Sequence, residues 1–245
     1  MLIPDINREL HLYPILILAS LIVGLLIPSI ELHKQKIRTD ILICVNLLNA
    51  LLSLIFGKLY TILSGESTNI ITAGFSSLGG LVGFILATYI FYKIYNNDKR
   101  ILVNYISSLP LIYAISKIGC LLAGCCHGIE YFGPLSIRYE ISSVCELECG
   151  VFPIQLLETI VFIGIYVVIM VLKNKETNLN IITLNLILCT VSKFALDYLR
   201  YSHTGKILSF NQIMCIVIAI IGVVYDRANK NIQEKNGNSF SGFRG

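Results

Sequence analysis

Apolar stretches of about 20 residues, long enough to cross a bilayer as a helix, recur from one end of this chain to the other. In hydrocarbon every backbone N–H and C=O must be satisfied within the protein, which leaves helices as the spanning element for stretches of this length. Seven spans are expected: Leu12–Ile30, Ile41–Leu63, Ile71–Tyr92, Ile101–Gly124, Gly150–Leu172, Asn180–Arg200 and Leu208–Tyr225. Composition agrees, with 55% hydrophobic and only 14% charged residues in 245, where a soluble domain carries about a quarter charged. The expected fold class is all-α, a polytopic bundle of seven transmembrane helices forming one membrane domain over residues 1–226. A polar, mobile cytoplasmic tail is expected over 227–245. The third and fourth spans hold glycines and Pro110, which membrane helices tolerate. The N-terminus shows neither a basic n-region nor a small-residue cleavage site, so no removable signal peptide is expected. No internal repeat is visible.

Lysine and arginine set the orientation. One set of loops contains Lys34, Lys36 and Arg38, then Lys93, Lys99 and Arg100, then Lys173 and Lys175, then the C-terminal basic residues; the opposite set holds only Arg8, Arg138, Arg200 and Lys206. The bias alternates loop by loop, placing the N-terminus outside and the C-terminus in the cytoplasm. The basic residues are scattered among short loops, so the formal charge of +4 gives no nucleic-acid signal.

A charge at bilayer depth costs several kcal/mol unless it is paired or wet, so each marks a functional candidate. The expected topology places Lys58, Lys117, Gln155, Glu158, Lys193, Asp197, Arg200, Asn211 and Gln212 within roughly 12 Å of the outer surface, at 1.5 Å of rise per residue. Gln155 and Glu158 share a helix face, and Lys193, Asp197 and Arg200 form one stripe. A structural ion-pair network is one reading. The embedded cations (Lys58, Lys117, Lys193, Arg200) outnumber the anions (Glu158, Asp197), however, and an anion such as a lipid phosphate would complete the set.

Small residues recur at i,i+4 in the third span (Ser76/Gly80, Gly79/Gly83) and in the fourth (Ser116, Cys120, Gly124). They serve close helix packing or leave room for a lipid headgroup, and the two readings are compatible. Of the eight cysteines, Cys44, Cys189 and Cys215 read as small core residues. Cys125, Cys126 and His127 sit at the outer boundary, with Cys145 and Cys149 in the long outer loop. Three readings stay open there. One is a disulfide between Cys145 or Cys149 and Cys125 or Cys126. Another is a reactive thiol activated by nearby cations. The third is a zinc site including His127, disfavoured because adjacent ligands chelate poorly in a tetrahedron.

Five segments together resemble the prolipoprotein diacylglyceryl transferase family: Ser-Ser-Leu-Gly-Gly-Leu-Val-Gly (76–83), Lys-Ile-Gly-Cys-Leu-Leu-Ala-Gly-Cys-Cys-His-Gly (117–128), Phe-Pro-Ile-Gln-Leu-Leu-Glu (152–158), Lys-Phe-Ala-Leu-Asp-Tyr-Leu-Arg (193–200) and Leu-Ser-Phe-Asn-Gln-Ile (208–213). Order, spacing and the expected topology match that family. Glu158 and Arg200 keep its residue types, and Asp197 stands where it has glutamate. Leu78 stands where the family has histidine, Lys117 where it has its signature arginine, Cys120 where it has asparagine and Cys125 where it has glutamate. The chain resembles a divergent, cysteine-rich branch.

The resemblance implies transfer of a diacylglyceryl group from phosphatidylglycerol to the cysteine thiol of an exported, lipobox-containing precursor, at the outer face of a bacterial plasma membrane. It implies catalytic roles for Lys117, Glu158 and Arg200, with His127, Cys125 and Cys126 as further candidates. Ser77, Gly79, Gly80, Cys120, Gly124, Gln155, Asp197 and Gln212 are expected to bind lipid. With leucine at 78, the titratable groups left to favour the substrate thiolate are His127 and His203. No cofactor or metal is expected, since neither a phosphate loop nor a dinucleotide fingerprint is present. Two other function classes remain: a related transferase with another acceptor or its own cysteine nucleophile, and a non-catalytic lipid-binding or thiol-redox membrane protein.

Overall fold

The computed structural model describes residues 2–3, 12–65, 69, 74–139, 150–175 and 180–241. Its helices are α1 (Leu12–Lys34), α2 (Thr39–Leu63), α3 (Ser77–Ile94), α4 (Lys99–Ser107), α5 (Leu109–Ala123), α6 (Ile154–Asn174), α7 (Ile181–Asp197) and α8 (Phe210–Ser241). Two short strands, β1 (Leu2–Ile3) and β2 (Arg138–Tyr139), pair in parallel.

Among the described residues, six segments are long and apolar enough to cross a membrane: α1, α2, α3, Lys99–Ala123, α6 and Phe210–Ala228. The sixth expected span, Asn180–Arg200, falls short of that length. Its helix α7 has 17 residues and stops at Asp197, and Arg200 already has extended backbone, with φ −91° and ψ 139°. Lys193 and Asp197 occupy its last turns, where an apolar helix would have continued. The third span begins at Ser77, later than expected; Ser76 Oγ accepts from Gly79 N and caps the helix start. The segment after Asp226, expected as a tail, continues α8 as helix to Ser241.

The fourth span is broken into α4 and α5 because Pro110 has no N–H to bond the carbonyl of Ile106. That carbonyl accepts instead from Asn185 Nδ2 of α7, at 2.6 Å. Ser108, at the break, donates to Tyr105 O at 2.8 Å and lies 3.1 Å from Gly24 O of α1. The freed backbone is thereby satisfied by neighbouring helices, as a membrane interior demands.

Small residues set the closest approaches. A Cβ on Gly79 would strike Tyr60 Cβ and Phe56 O, and one on Gly83 would strike Leu52 O, so α2 and α3 run backbone to backbone. Further pairings join α1 to α5, α5 to α6 and α7 to α8. A core of Leu32, Val45, Phe84, Tyr105, Ile112 and Leu186 packs the helices together. Ile15, Leu47, Ile160 and Ile220 point outward, as a lipid-facing surface requires.

A small mesh closes the other end. Gly128 bridges Arg200, while Glu130 and Ile137 both bridge Val151. A Cβ on Gly128 would strike Phe152 O, so this position requires glycine. Cys145 and Cys149, and with them the expected disulfide, lie outside the described residues.

Candidate active site

Glu158 is the centre of the polar site. It sits one turn into α6 with no exposed surface. Lys193 Nζ of α7 lies 2.7 Å from its Oε1, and the Tyr113 hydroxyl of α5 donates to the same oxygen at 3.1 Å. Lys117 Nζ of α5 is 3.4 Å from Oε2, and Arg200 Nη2 is 3.7 Å from that oxygen. Lys193 and Arg200 also reach Asp197 Oδ1, at 3.2 and 3.7 Å. Asp197 Oδ2 accepts a short hydrogen bond from Ser209 Oγ, and Oδ1 lies 3.3 Å from Asn211 Nδ2. Tyr60 of α2 donates to Asn211 Oδ1 at 2.6 Å. The C-terminal ends of α2, α5 and α7 and the N-terminal ends of α6 and α8 thus meet at one end of the bundle.

The helix geometry explains the convergence. Tyr113 and Lys117 are i,i+4 on α5, and Lys193 and Asp197 are i,i+4 on α7, so each helix presents one polar stripe inward. Lys117 and Lys193 both lie over the Tyr113 ring, 4.9 and 5.9 Å from its centroid, where the ring face adds cation–π attraction.

The buried cluster holds three cations, Lys117, Lys193 and Arg200, against two carboxylates, Glu158 and Asp197. Lys58, expected as a fourth cation, is exposed on α2. The excess charge has an address. Arg200 is 5% exposed, yet its Nε and Nη2 have no hydrogen-bond partner among the described residues. Those two nitrogens are one edge of the planar fork that grips phosphate or carboxylate bidentately. Leaving such buried donors unpaired costs about 1–3 kcal/mol each. An anion within reach of that edge would satisfy both nitrogens.

An apolar cavity of about 250 Å³ adjoins the cluster through Tyr113 and Ser116. Its walls include Tyr13, Ile17 and Ser20 of α1, Ser53 of α2, and Ser77, Gly80 and Phe84 of α3. Exposed Pro14, Leu18 and Leu54 stand at its border, so it opens sideways between α1 and α2. Ser53 Oγ is buried there with no hydrogen-bond partner among the described residues.

The remaining expected residues divide. Ser77 and Gly80 line the cavity, whereas Gly79 packs on α2. Gly124 ends α5 in a left-handed turn, φ +71°, against the Tyr139 ring. Gln155 holds the following turn, its Nε2 donating to Cys125 O at 2.9 Å. Gln212 is a cap for α8, its Oε1 accepting from Ser209 N at 3.0 Å and lying 2.9 Å from His203 Nε2. His127 Nδ1 is 3.1 Å from Gly128 O, and its ring lies against Tyr201. Cys120, Cys125 and Cys126 form a cluster with all sulfurs within 4.8 Å of one another. Beyond the spans, the Cys126 thiol is held well below the ordinary thiol range, first by hydrogen bonds from Cys120 and Cys125, then by the charges of Arg200 and Lys117. Sequence reasoning does not single out Tyr113; its position one helical turn before Lys117 was the available signal.

Comparison with known proteins places this geometry in context. The family model for prolipoprotein diacylglyceryl transferase matches residues 3–226. A phosphatidylglycerol–prolipoprotein diacylglyceryl transferase of Clostridioides difficile is 28% identical over 241 residues, covering 94% of this chain and 93% of that protein. A second relative, phosphatidylglycerol–prolipoprotein diacylglyceryl transferase 2 of Clostridium perfringens, is 29% identical over 51% of this chain and 50% of its own length. A Clostridium tetani protein of the same transferase name is 25% identical over 61% of this chain and 62% of its own length. With the family match running over nearly its whole length, the chain belongs to the prolipoprotein diacylglyceryl transferase family.

Proposed function

We propose that this chain transfers the diacylglyceryl group of phosphatidylglycerol to a cysteine thiol of an exported, lipobox-containing prolipoprotein. In this reading it is an integral protein of a bacterial plasma membrane, with seven spans and its N-terminus outside. The site then works in the outer leaflet, where an exported precursor arrives. The observation that carries the reading is the Nε/Nη2 edge of Arg200, which makes no hydrogen bond among the described residues, within a cluster of surplus positive charge, beside an apolar cavity open to the side. A two-chain phospholipid matches both halves.

The chemistry is a displacement at carbon. The acceptor's sulfur forms a bond to the terminal glyceryl carbon that carries the phosphate ester. The C–O bond to phosphate breaks, and the electron pair leaves on glycerol phosphate. Arg200 and Lys117 hold the phosphate and stabilise the charge that gathers on it, the kind of fixed electrostatic help that lowers such barriers. Glu158 holds Lys117, Lys193 and Arg200 in place, and Asp197 ties Arg200 to the α8 start. Tyr113 fixes the inner side of Glu158.

The test is a transfer assay with purified protein, phosphatidylglycerol and a synthetic lipobox peptide. A peptide heavier by one diacylglyceryl group, with glycerol phosphate released in equal amount, is expected. Absence of the product from protein that is folded and binds the lipid would remove the reading.

A further inference from the structure

The mechanism above leaves three thiols unused and the acceptor thiol without a base. Leu78 offers no titratable atom, and the ring contacts of His127 and His203 are with Gly128 O and Gln212 Oε1. Cys120 follows Lys117 by three residues on α5, and Gly128, two residues past Cys126, bridges Arg200. Cys120 is buried in the last turn of α5, Cys125 is half-buried and Cys126 is exposed. After Gly124 the chain reverses, with Cys126 itself at φ +56°, and this turn folds the adjacent cysteines back over Cys120. The vicinal spacing, an obstacle on paper, is resolved by that reversal, since every sulfur pair lies within 4.8 Å. Zinc–thiolate bonds of about 2.3 Å set tetrahedral S–S edges of about 3.8 Å, so shifts of about an ångström would bring all three onto one ion. The turn is already anchored by Gln155, which is fully buried and whose own Oε1 has no hydrogen-bond partner among the described residues.

We infer that Cys120, Cys125 and Cys126 hold a Zn²⁺ ion whose fourth position binds the sulfur of the acceptor cysteine. The inference rests on the transferase reading given above. Three protein ligands and one open position is the pattern of catalytic zinc, and thiolates select such soft ions. A thiol that coordinates zinc loses its proton. Here the proton passes to water, the sulfur attacks the glyceryl carbon, and glycerol phosphate leaves with the C–O electron pair. No electron changes hands. The exposed Cys126 marks the side from which the acceptor enters.

Metal analysis of the detergent-purified full chain after equilibration with Zn²⁺ tests the site. One zinc per chain is expected. Cys120→Ser, Cys125→Ser and Cys126→Ser should each lose it, and Cys145→Ser combined with Cys149→Ser should keep it. Cobalt exchanged for zinc reports the fourth position: its sulfur charge-transfer absorption should strengthen with a lipobox peptide and not with the peptide's serine analogue. The inference fails if no stoichiometric metal binds, or if the metal survives in the three single variants. A disulfide among these cysteines, or a lipid adduct trapped on Cys125 or Cys126, would also overturn it. The two readings separate cleanly. Full transfer by zinc-free protein sinks the metal site and leaves the transferase standing. Zinc binding and a cobalt response to the peptide without any transfer sink the transferase.

Discussion

Replacing Arg200 by lysine asks whether the guanidinium edge, rather than positive charge alone, does the binding. The substitution keeps the charge and removes the fork. In the structure Nη1 and Nη2 stand 3.7 Å from Asp197 and Glu158, while Nε and Nη2 have no hydrogen-bond partner among the described residues. Little native bonding is therefore lost, and the melting temperature should hardly move. Phosphate binding loses one of two charge-assisted hydrogen bonds, each worth about 1.5–3 kcal/mol. At 1.4 kcal/mol per factor of ten, kcat/KM for phosphatidylglycerol falls about 10- to 150-fold. Because the leaving phosphate gathers charge in the transition state, part of the loss should appear in kcat and not only in KM. The assay is steady-state transfer to a fluorescent lipobox peptide in mixed micelles. Activity within about twofold of the parent, at unchanged stability, would refute the assignment of phosphate to this edge.

Three other substitutions probe the scaffold. Glu158→Gln strips the shared counter-ion from Lys117, Lys193 and Arg200 and should destabilise the bundle by about 3–5 kcal/mol, seen as a large drop in melting temperature in detergent. Asn185→Leu leaves the Ile106 carbonyl without its donor and should cost about 1–3 kcal/mol while sparing KM, read by melting and kinetics together. Ser53→Leu removes an unpartnered hydroxyl and narrows the apolar cavity. Stability should hold or rise while KM increases for long-chain phosphatidylglycerol and not for a short-chain analogue.

Much of this was legible in the sequence because burying charge in a bilayer is costly. Lys117, Glu158, Lys193, Asp197 and Arg200 stand out in apolar runs, and their helical spacings already put them on shared faces. The break at Pro110 could be anticipated; its repair by Asn185 could not, since that contact joins helices 79 residues apart in sequence. Lys58 misled for a related reason. Depth can be counted along a helix, but the direction of a side chain around the bundle depends on neighbours, and α2 turns Lys58 outward. The small residues divided in the same way. Gly79 and Gly83 face α2 and Gly80 faces the cavity, a distinction of rotation about α3 that spacing alone does not carry. The expected span Asn180–Arg200 overshoots α7 at Tyr198, Leu199 and Arg200, where the chain has already left the helix.

The central claim is that one lipid phosphate rests on the free edge of Arg200. Solid-state NMR dephasing between arginine ¹⁵N side-chain nuclei and the ³¹P of bound phosphatidylglycerol measures that contact directly. Charge-assisted bonds of about 2.7–2.9 Å place nitrogen and phosphorus within about 4 Å, so strong dephasing is expected in the parent and its loss in Arg200→Lys. Bound lipid that gives no dephasing in the parent, or dephasing that persists in the variant, would contradict the account.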